Sequence, residues 1–253
     1  LFHAAGEGML EEVAELIEAG ADVVAQQNAD GETALHVALT RGQAEVALLL
    51  LDKMPAEGLQ LRDKKGDTLV HAAARGGMVE AAVKILERAG AGVLAQQNAA
   101  GETALALALK CGQAEVALLL VEKMSSEALL LRDQTGTSVV ELAVDKKLDG
   151  AAAALVGRLW EDELQGDAAR VEALWGKAVA QGMVDSVRAL VERSGETLTM
   201  RQTAGGATAL HEALGARNEA LALLLVEKMP AEGLQLRDQK GDTCLHVAAR
   251  QQL

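Results

Sequence analysis

The sequence predicts an all-α fold, a solenoid of about seven helix-turn-helix repeats of 35 residues, each followed by a loop or hairpin finger. Three observations lead to this fold class. Glycine recurs at intervals of 35 or 70 residues, at positions 31, 66, 101, 136, 206 and 241. Alanine occupies one shared position in every repeat, at 38, 73, 108, 143, 178, 213 and 248. Only two prolines interrupt long runs rich in Ala, Leu, Glu and Lys, which favour helix.

The elements of one repeat follow in order from Gly31. Residues 31–36 open a short first helix that ends at Gly42, where a left-handed turn suits glycine. Residues 43–53 carry apolar side chains along most of one side, which predicts a second helix. Residues 54–65 contain Pro55 and Gly58 and are expected to cross to the next repeat as an extended loop or hairpin finger.

The period predicts a single array over residues 1–253, with repeats that start near 31, 66, 101, 136, 171, 206 and 241. The stretch 136–205 keeps the period but is degenerate, with Lys147 where the turn glycine belongs. Both ends fall inside repeats. We therefore expect a piece of a longer protein, with any targeting signal outside these residues.

Composition excludes several function classes. A net charge of −13, with no block of Lys and Arg between aromatic residues, argues against a nucleic acid partner. Cys111 and Cys244 lack the spacing of a zinc site or a disulfide framework, which favours a reducing, intracellular and cytoplasmic setting. No apolar run approaches the roughly 18 residues of a membrane span, so direct membrane insertion is not expected.

Short motifs within the repeats carry a family resemblance. Residues 33–36, 208–211 and 243–246 read Thr-Ala-Leu-His, Thr-Ala-Leu-His and Thr-Cys-Leu-His, and they resemble the Thr-Pro-Leu-His motif of ankyrin repeats. Residues 42–50 and 19–23 resemble the second helix and the loop of that family. The chain departs from the family in two respects, since the motif proline is replaced and the period is 35 against 33. Longer loops or fingers are therefore expected.

No residue pattern indicates catalysis. His36, His71, His211 and His246 share one repeat position, and the resemblance implies that each bonds to its motif Thr or nearby backbone. No nucleophile elbow, phosphate-binding loop or paired zinc spacing occurs. We therefore predict no enzyme activity, no cofactor and no metal.

The resemblance places the seventh, tenth and eleventh residues of each repeat in a concave groove. Basic residues recur at these positions: Arg41, Arg75, Lys110, Lys146, Lys177 and Arg250. Apolar residues expected to be exposed beside them are Val37, Leu107, Leu142 and Val247. The fingers add Arg62, Lys64, Lys65, Arg132, Arg201, Arg237 and Lys240. This strip is expected to bind an acidic segment or surface of a protein. Alternatively, the helix dipole alone explains basic residues at the ends of first helices.

Trp160 also has two interpretations. It either fills a gap left by imperfect packing or anchors a partner protein.

Three hypotheses for function remain open at this point. The first is a non-catalytic protein-protein interaction scaffold that binds through its groove and fingers. The second is an architectural subunit or spacer in a large assembly, and the third is a regulatory repeat domain of a longer protein.

Overall fold

The computed structural model describes residues 1–251, with the exception of the side chains of Ala21 and Asp22. These residues form two compact units, Leu1–Leu142 and the part that begins at Ala143. Within the described residues the secondary structure is helical, with one isolated β-bridge between Gln202 and Thr208. The all-α fold class is therefore confirmed, whereas the continuity of the array over both units stays a prediction.

The first unit contains helices α1 to α9. Their bounds are α1 Phe2–Glu7, α2 Leu10–Ala19, α3 Ala34–Thr40, α4 Ala44–Lys53, α5 Leu69–Gly76, α6 Val79–Ala89, α7 Ala104–Lys110, α8 Ala114–Lys123 and α9 Ser126–Leu129. Helix α10, Val139–Asp145, contains the boundary between the units. In the second unit the helices are α11 Asp149–Leu159, α12 Ala168–Gln181, α13 Val184–Ser194, α14 Ala209–Gly215, α15 Glu219–Lys228 and α16 Cys244–Gln251.

First helices and second helices form separate layers in each unit. In the first unit α1, α3, α5 and α7 pack side by side, and α2, α4, α6 and α8 form the other layer. In the second unit α12, α14 and α16 form one layer and α11, α13 and α15 form the other. The shared alanines Ala38, Ala73 and Ala108 are fully buried between the layers. A side chain this small lets neighbouring helices approach closely, which explains its presence in every repeat.

Left-handed residues connect the two helices of a repeat. Gly42 adopts a φ of 73°, as its position predicted. Lys147 and Arg217 occupy the equivalent turns with φ values of 57° and 56°, although this region is unfavourable for residues that carry a Cβ. The turn is thus imposed by the packing of the helices that it joins.

The fingers are more compact than the sequence suggested. After α4, residues Glu57–Gln60 form a 3₁₀ turn, and buried Met54 and Leu59 fold this segment back onto the helices. The finger itself is a tight turn in which the Asp63 carboxylate accepts hydrogen bonds from the backbone N–H groups of Lys65 and Asp67, both at 2.8 Å. Of the two forms expected here, an extended loop or a hairpin, the tip follows the second, since the Asp63 N–H also donates to the Asp67 carbonyl at 3.1 Å.

One repeat has no finger. The first helices with fingers before them begin at residues 34, 69, 104, 139, 209 and 244, so the period predicts a start at 174. Helix α12 begins instead at Ala168, and three residues separate it from the preceding π-helical turn at Trp160–Leu164. Helix therefore occupies the place of a finger inside the degenerate stretch.

Candidate protein-binding surface

The repeated histidines build the repeats. His36, His71 and His211 are buried, and their Nδ1 atoms lie 2.8 Å from the hydroxyl oxygens of Thr33, Thr68 and Thr208. Each pair forms a reciprocal cap at the start of a first helix. The bond between His and Thr that the sequence implied is therefore confirmed.

Two of these histidines also join adjacent repeats. Nε2 of His71 lies 3.0 Å from the Glu102 carbonyl, and Nε2 of His211 lies 3.1 Å from the Asp242 carbonyl. Burial lowers the pKa of both His36 and His71 from the ordinary value of 6.5. These imidazoles are structural parts of the stack.

The basic groove positions are largely paired with acids of the same unit. Arg41 contacts Glu7 at 2.9 Å, Arg75 contacts the buried Asp67 at 2.5 Å, and Lys177 contacts Asp145 at 2.6 Å. Arg250 forms an ion pair with Asp242. Lys146 is exposed and has no ion pair within residues 1–251. The strip is therefore closer to neutral than its sequence suggested.

Lys110 is the most extensively paired of these cations. Its Nζ atom lies 2.5 Å from Oε1 of Glu102 and 2.9 Å from Oδ2 of Asp133, so it joins the bases of two successive fingers. Partial burial lowers the pKa of Lys110, but both carboxylates raise it and the net direction is upward. Hydrogen bonds from the Thr135 hydroxyl and from Lys110 hold the pKa of Asp133 well below its usual range.

The apolar groove residues differ in exposure. Leu107 is 6% exposed and Leu142 is 9% exposed, so the expectation that they form an exposed row is wrong. Leu107 is buried because α7 packs against α5. Val37 is half-buried and lines an open cleft of about 300 Å³ together with Arg41, Asn28 and Glu32. The structure thus brings Val37 and Arg41 together between first helices and the base of a finger.

The finger arginines brace the fingers. The Arg62 guanidinium donates to the carbonyls of Gly66 at 3.3 Å and Gln97 at 3.2 Å. Arg132 and Arg237 donate to the carbonyls of Gly136 and Gly241 in the same way. All three side chains are exposed while they hold the turn.

Lysines without an acidic partner lie at the fingertips. Lys64, Lys65 and Lys240 are exposed, and none has an ion pair in the described part of the chain. The sequence identified these positions only as additions to the groove strip. Their importance emerged once the groove cations proved to be paired.

Trp160 is 8% exposed at the start of the π-helical turn, and this burial favours the packing role over the anchor. Its ring forms part of the wall of an open cleft of about 330 Å³, which Arg193, Leu198 and Arg201 also line.

A second cleft in this unit, of about 250 Å³, adjoins the repeat without a finger. Its walls include Trp175, Val179 and Ala209, with Glu172 and Glu212 as acidic groups. Arg201 lines it too and pairs with Glu172. Sequence reasoning missed Glu212. The available signal was a glutamate at the seventh position of a repeat that follows one with Ala180 at the tenth, where three other repeats carry Arg or Lys.

Searches for other kinds of site in residues 1–251 gave two findings. No group of three or more His, Cys, Asp or Glu side chains could hold a metal ion there. Within the same residues, none of the helices combines the length and the apolar character that crossing a membrane requires.

Comparison with known proteins agrees with the repeat architecture. Residues 1–51 match a family model described as ankyrin repeats (many copies), and residues 55–133 match one described as ankyrin repeats (3 copies). No curated protein matches the chain significantly. Ankyrin repeats are generally modules for protein-protein interaction, and proteins built from them are generally non-enzymatic binding scaffolds. With its helical layers, its Thr-His caps and these matches, the chain belongs to the ankyrin repeat family.

Proposed function

We propose that the chain is a non-catalytic scaffold that binds a partner protein through its finger-groove surface. This surface comprises the Val37–Arg41 cleft and the exposed fingertips, with Lys64 and Lys65 at its centre. The observation that carries the proposal is the location of unpaired positive charge. Groove cations such as Arg75 and Lys110 serve the fold, while the fingertip lysines are free of ion pairs in the described residues.

Charge complementarity supports an acidic partner. Lys64 and Lys65 stand side by side in a chain whose net charge is −13, so an acidic surface gains attraction at the fingertips and is repelled elsewhere. This arrangement would orient the partner on the fingers more than it would add affinity.

The experiment reverses charge at the fingertips without breaking the fold. We would compare wild type, K64E/K65E and the matched variant K53E/K123E by crosslinking mass spectrometry in native extract. Lys53 and Lys123 are exposed on second helices, and their reversal changes the net charge equally. Arg75 and Lys110 are left intact because their removal would leave Asp67, Glu102 or Asp133 without a cation.

Loss of a specific partner in K64E/K65E, with retention in K53E/K123E, is the expected result. Equal crosslinking in all three proteins would contradict the finger-groove surface.

One observation favours an architectural role as a second candidate. Val83, Leu86, Leu94 and Leu119 line an apolar hollow of about 240 Å³ on the second-helix layer, next to exposed Leu118. A subunit wedged in a large complex would be covered there. Crosslinks that concentrate on α6 and α8, persist in K64E/K65E and weaken in K53E/K123E, whose Lys123 lines the hollow, would support this alternative.

We also propose an intracellular, cytoplasmic location. Support comes from Cys111 and Cys244, which are both free thiols, as a reducing compartment would keep them.

A further inference from the structure

Successive fingers pair with one another through backbone and side-chain hydrogen bonds. The Ala99 N–H donates to the Lys65 carbonyl at 2.8 Å, and the Gln239 N–H donates to the Gly205 carbonyl at 2.9 Å. Beside the first of these bonds, the Arg62 guanidinium donates to the Gln97 carbonyl at 3.2 Å. The fingers at residues 62–66, 97–101, 132–136 and 237–241 therefore each have an upstream edge whose N–H donor and carbonyl acceptor are occupied by the preceding finger.

The finger at Gln202–Gly206 has no such neighbour, because α12 replaces the preceding finger. By the 35-residue period, the Ala204 N–H corresponds to that of Ala99 and the Gln202 carbonyl to that of Gln97. Within the described residues neither group has a hydrogen-bond partner. Gln97 and Ala99, which bond to the finger that contains Arg62, are the same residue types as Gln202 and Ala204. The open edge therefore has the residues that accept a finger at 97–101.

The adjoining cleft adds an unpaired carboxylate. In three repeats the acid at the second position pairs with a cation at the tenth, as in Asp67 with Arg75. Glu212 stands instead at the seventh position, on α14, and has no ion pair in residues 1–251. The nearby tenth position of the repeat without a finger is Ala180, and burial raises the pKa of Glu212.

We propose that the Gln202–Gly206 edge and the cleft beside Trp175 and Glu212 receive a turn of a partner protein that carries Arg or Lys. The occupant offers a carbonyl to the Ala204 N–H and a basic side chain to the Gln202 carbonyl and to Glu212. The contact of the Arg62 finger with residues 97–101 supplies the geometry of the two bonds to the finger. Trp175, Val179 and Ala209 are themselves buried and form the apolar floor of the cleft on which the turn would rest.

The test uses the chain's own finger as its probe. A cyclised peptide with the sequence of residues 61–68, Leu-Arg-Asp-Lys-Lys-Gly-Asp-Thr, is titrated into the whole chain while amide NMR shifts are followed. We expect saturable binding with the Ala204 amide among the largest shifts. E212Q should weaken binding about tenfold, a typical loss for one charged contact. A180K, which places a cation at the exposed Ala180, should weaken it as well.

Two controls separate this site from non-specific charge effects. E192Q removes an exposed carboxylate from α13 and should leave affinity unchanged. The same peptide with its Arg and both Lys residues replaced by Gln should not bind. Absence of binding up to millimolar peptide, or equal affinity for E212Q, E192Q and wild type, would overturn the inference.

The inference rests on the proposed function only in that its occupant is a partner protein, and the two can fail separately. If K64E/K65E loses the partner but E212Q leaves peptide affinity unchanged, the scaffold proposal stands and the cleft is rejected. If E212Q weakens peptide binding but K64E/K65E keeps the partner, the cleft stands and the finger-groove surface is rejected.

Discussion

At the scale of single residues, the basic side chains that looked like a binding strip turn out to have different roles. Arg75 and Lys110 neutralise buried or nearly buried acids, whereas Arg41 and Lys177 form exposed pairs of little energetic consequence. Lys64 and Lys65 have no such role. Position in the repeat is therefore a poor guide to function until the partner of each charge is known.

Lys110 offers a direct test of this distinction. K110M should lower the free energy of unfolding by about 2 kcal/mol, because the carboxylates of Glu102 and Asp133, at two successive fingers, are then left without a cation. The measurement is urea unfolding followed by circular dichroism. K177M, which breaks a half-exposed pair, should change the same quantity by less than about 0.5 kcal/mol. Equal losses in the two variants would show that Lys110 has no special role.

At the scale of elements, the turn between the helices shows how packing overrides local preference. Lys147 stands between α10 and α11 in the left-handed region that glycine supplies at Gly42, Gly77 and Gly112. Arg217 holds the same conformation between α14 and α15, which pack together, so that turn keeps its shape although the side chain disfavours it.

K147G should therefore stabilise the protein. Relief of the left-handed strain exceeds the entropy cost of glycine, and we expect the free energy of unfolding to rise by about 1 kcal/mol. K146G is the matched control, since Lys146 lies one residue earlier with a negative φ and should gain nothing. Thermal denaturation of both variants decides the matter; a lower midpoint for K147G would contradict the argument.

At the scale of the whole molecule, each unit is stabilised by contacts that recur from one repeat to the next. Finger bonds such as Lys64 N–H to the Asp30 carbonyl, at 2.9 Å, accompany the helix layers and the histidine bridges. Stability is then a sum of similar local terms, as in other linear repeat arrays. A change at one repeated position can be applied in several places and its effects compared.

The buried histidines predict how stability depends on pH. His36 and His71 have folded pKa values below the unfolded 6.5, so the unfolded chain binds more protons as the pH falls through 6.5. The contribution of these two histidines to the free energy of unfolding should be fully present above that pH and decrease as the pH falls below about 6.5.

The variant H36Q/H71Q should flatten this decrease, because Gln can retain the helix cap without a titrating group. H3Q is the control, since His3 is exposed and its removal should leave the pH profile unchanged. Chemical unfolding at a series of pH values measures the effect. A double variant as sensitive to acid as wild type would assign the transition to other groups.

Much of the fold followed from the 35-residue period, and the candidate surface followed only in part. Helix positions, the left-handed turn at Gly42 and the Thr33–His36 cap could be predicted, because each depends on residues near in sequence. For residues 54–65 the sequence left an extended loop or a hairpin open, because burial of Met54 depends on helices that lie elsewhere in the repeat.

The sequence by itself determined the repeat, its family and the absence of any recognisable catalytic motif, since periodic local patterns specify a stack of nearest neighbours. Only the tertiary structure decided which charges are free. Lys110 meets Asp133 across 23 residues, Leu107 is buried by a neighbouring helix, and the edge at Gln202–Gly206 is open because α12 starts early. These outcomes depend on where one repeat meets the next, and a pattern within one repeat does not contain them.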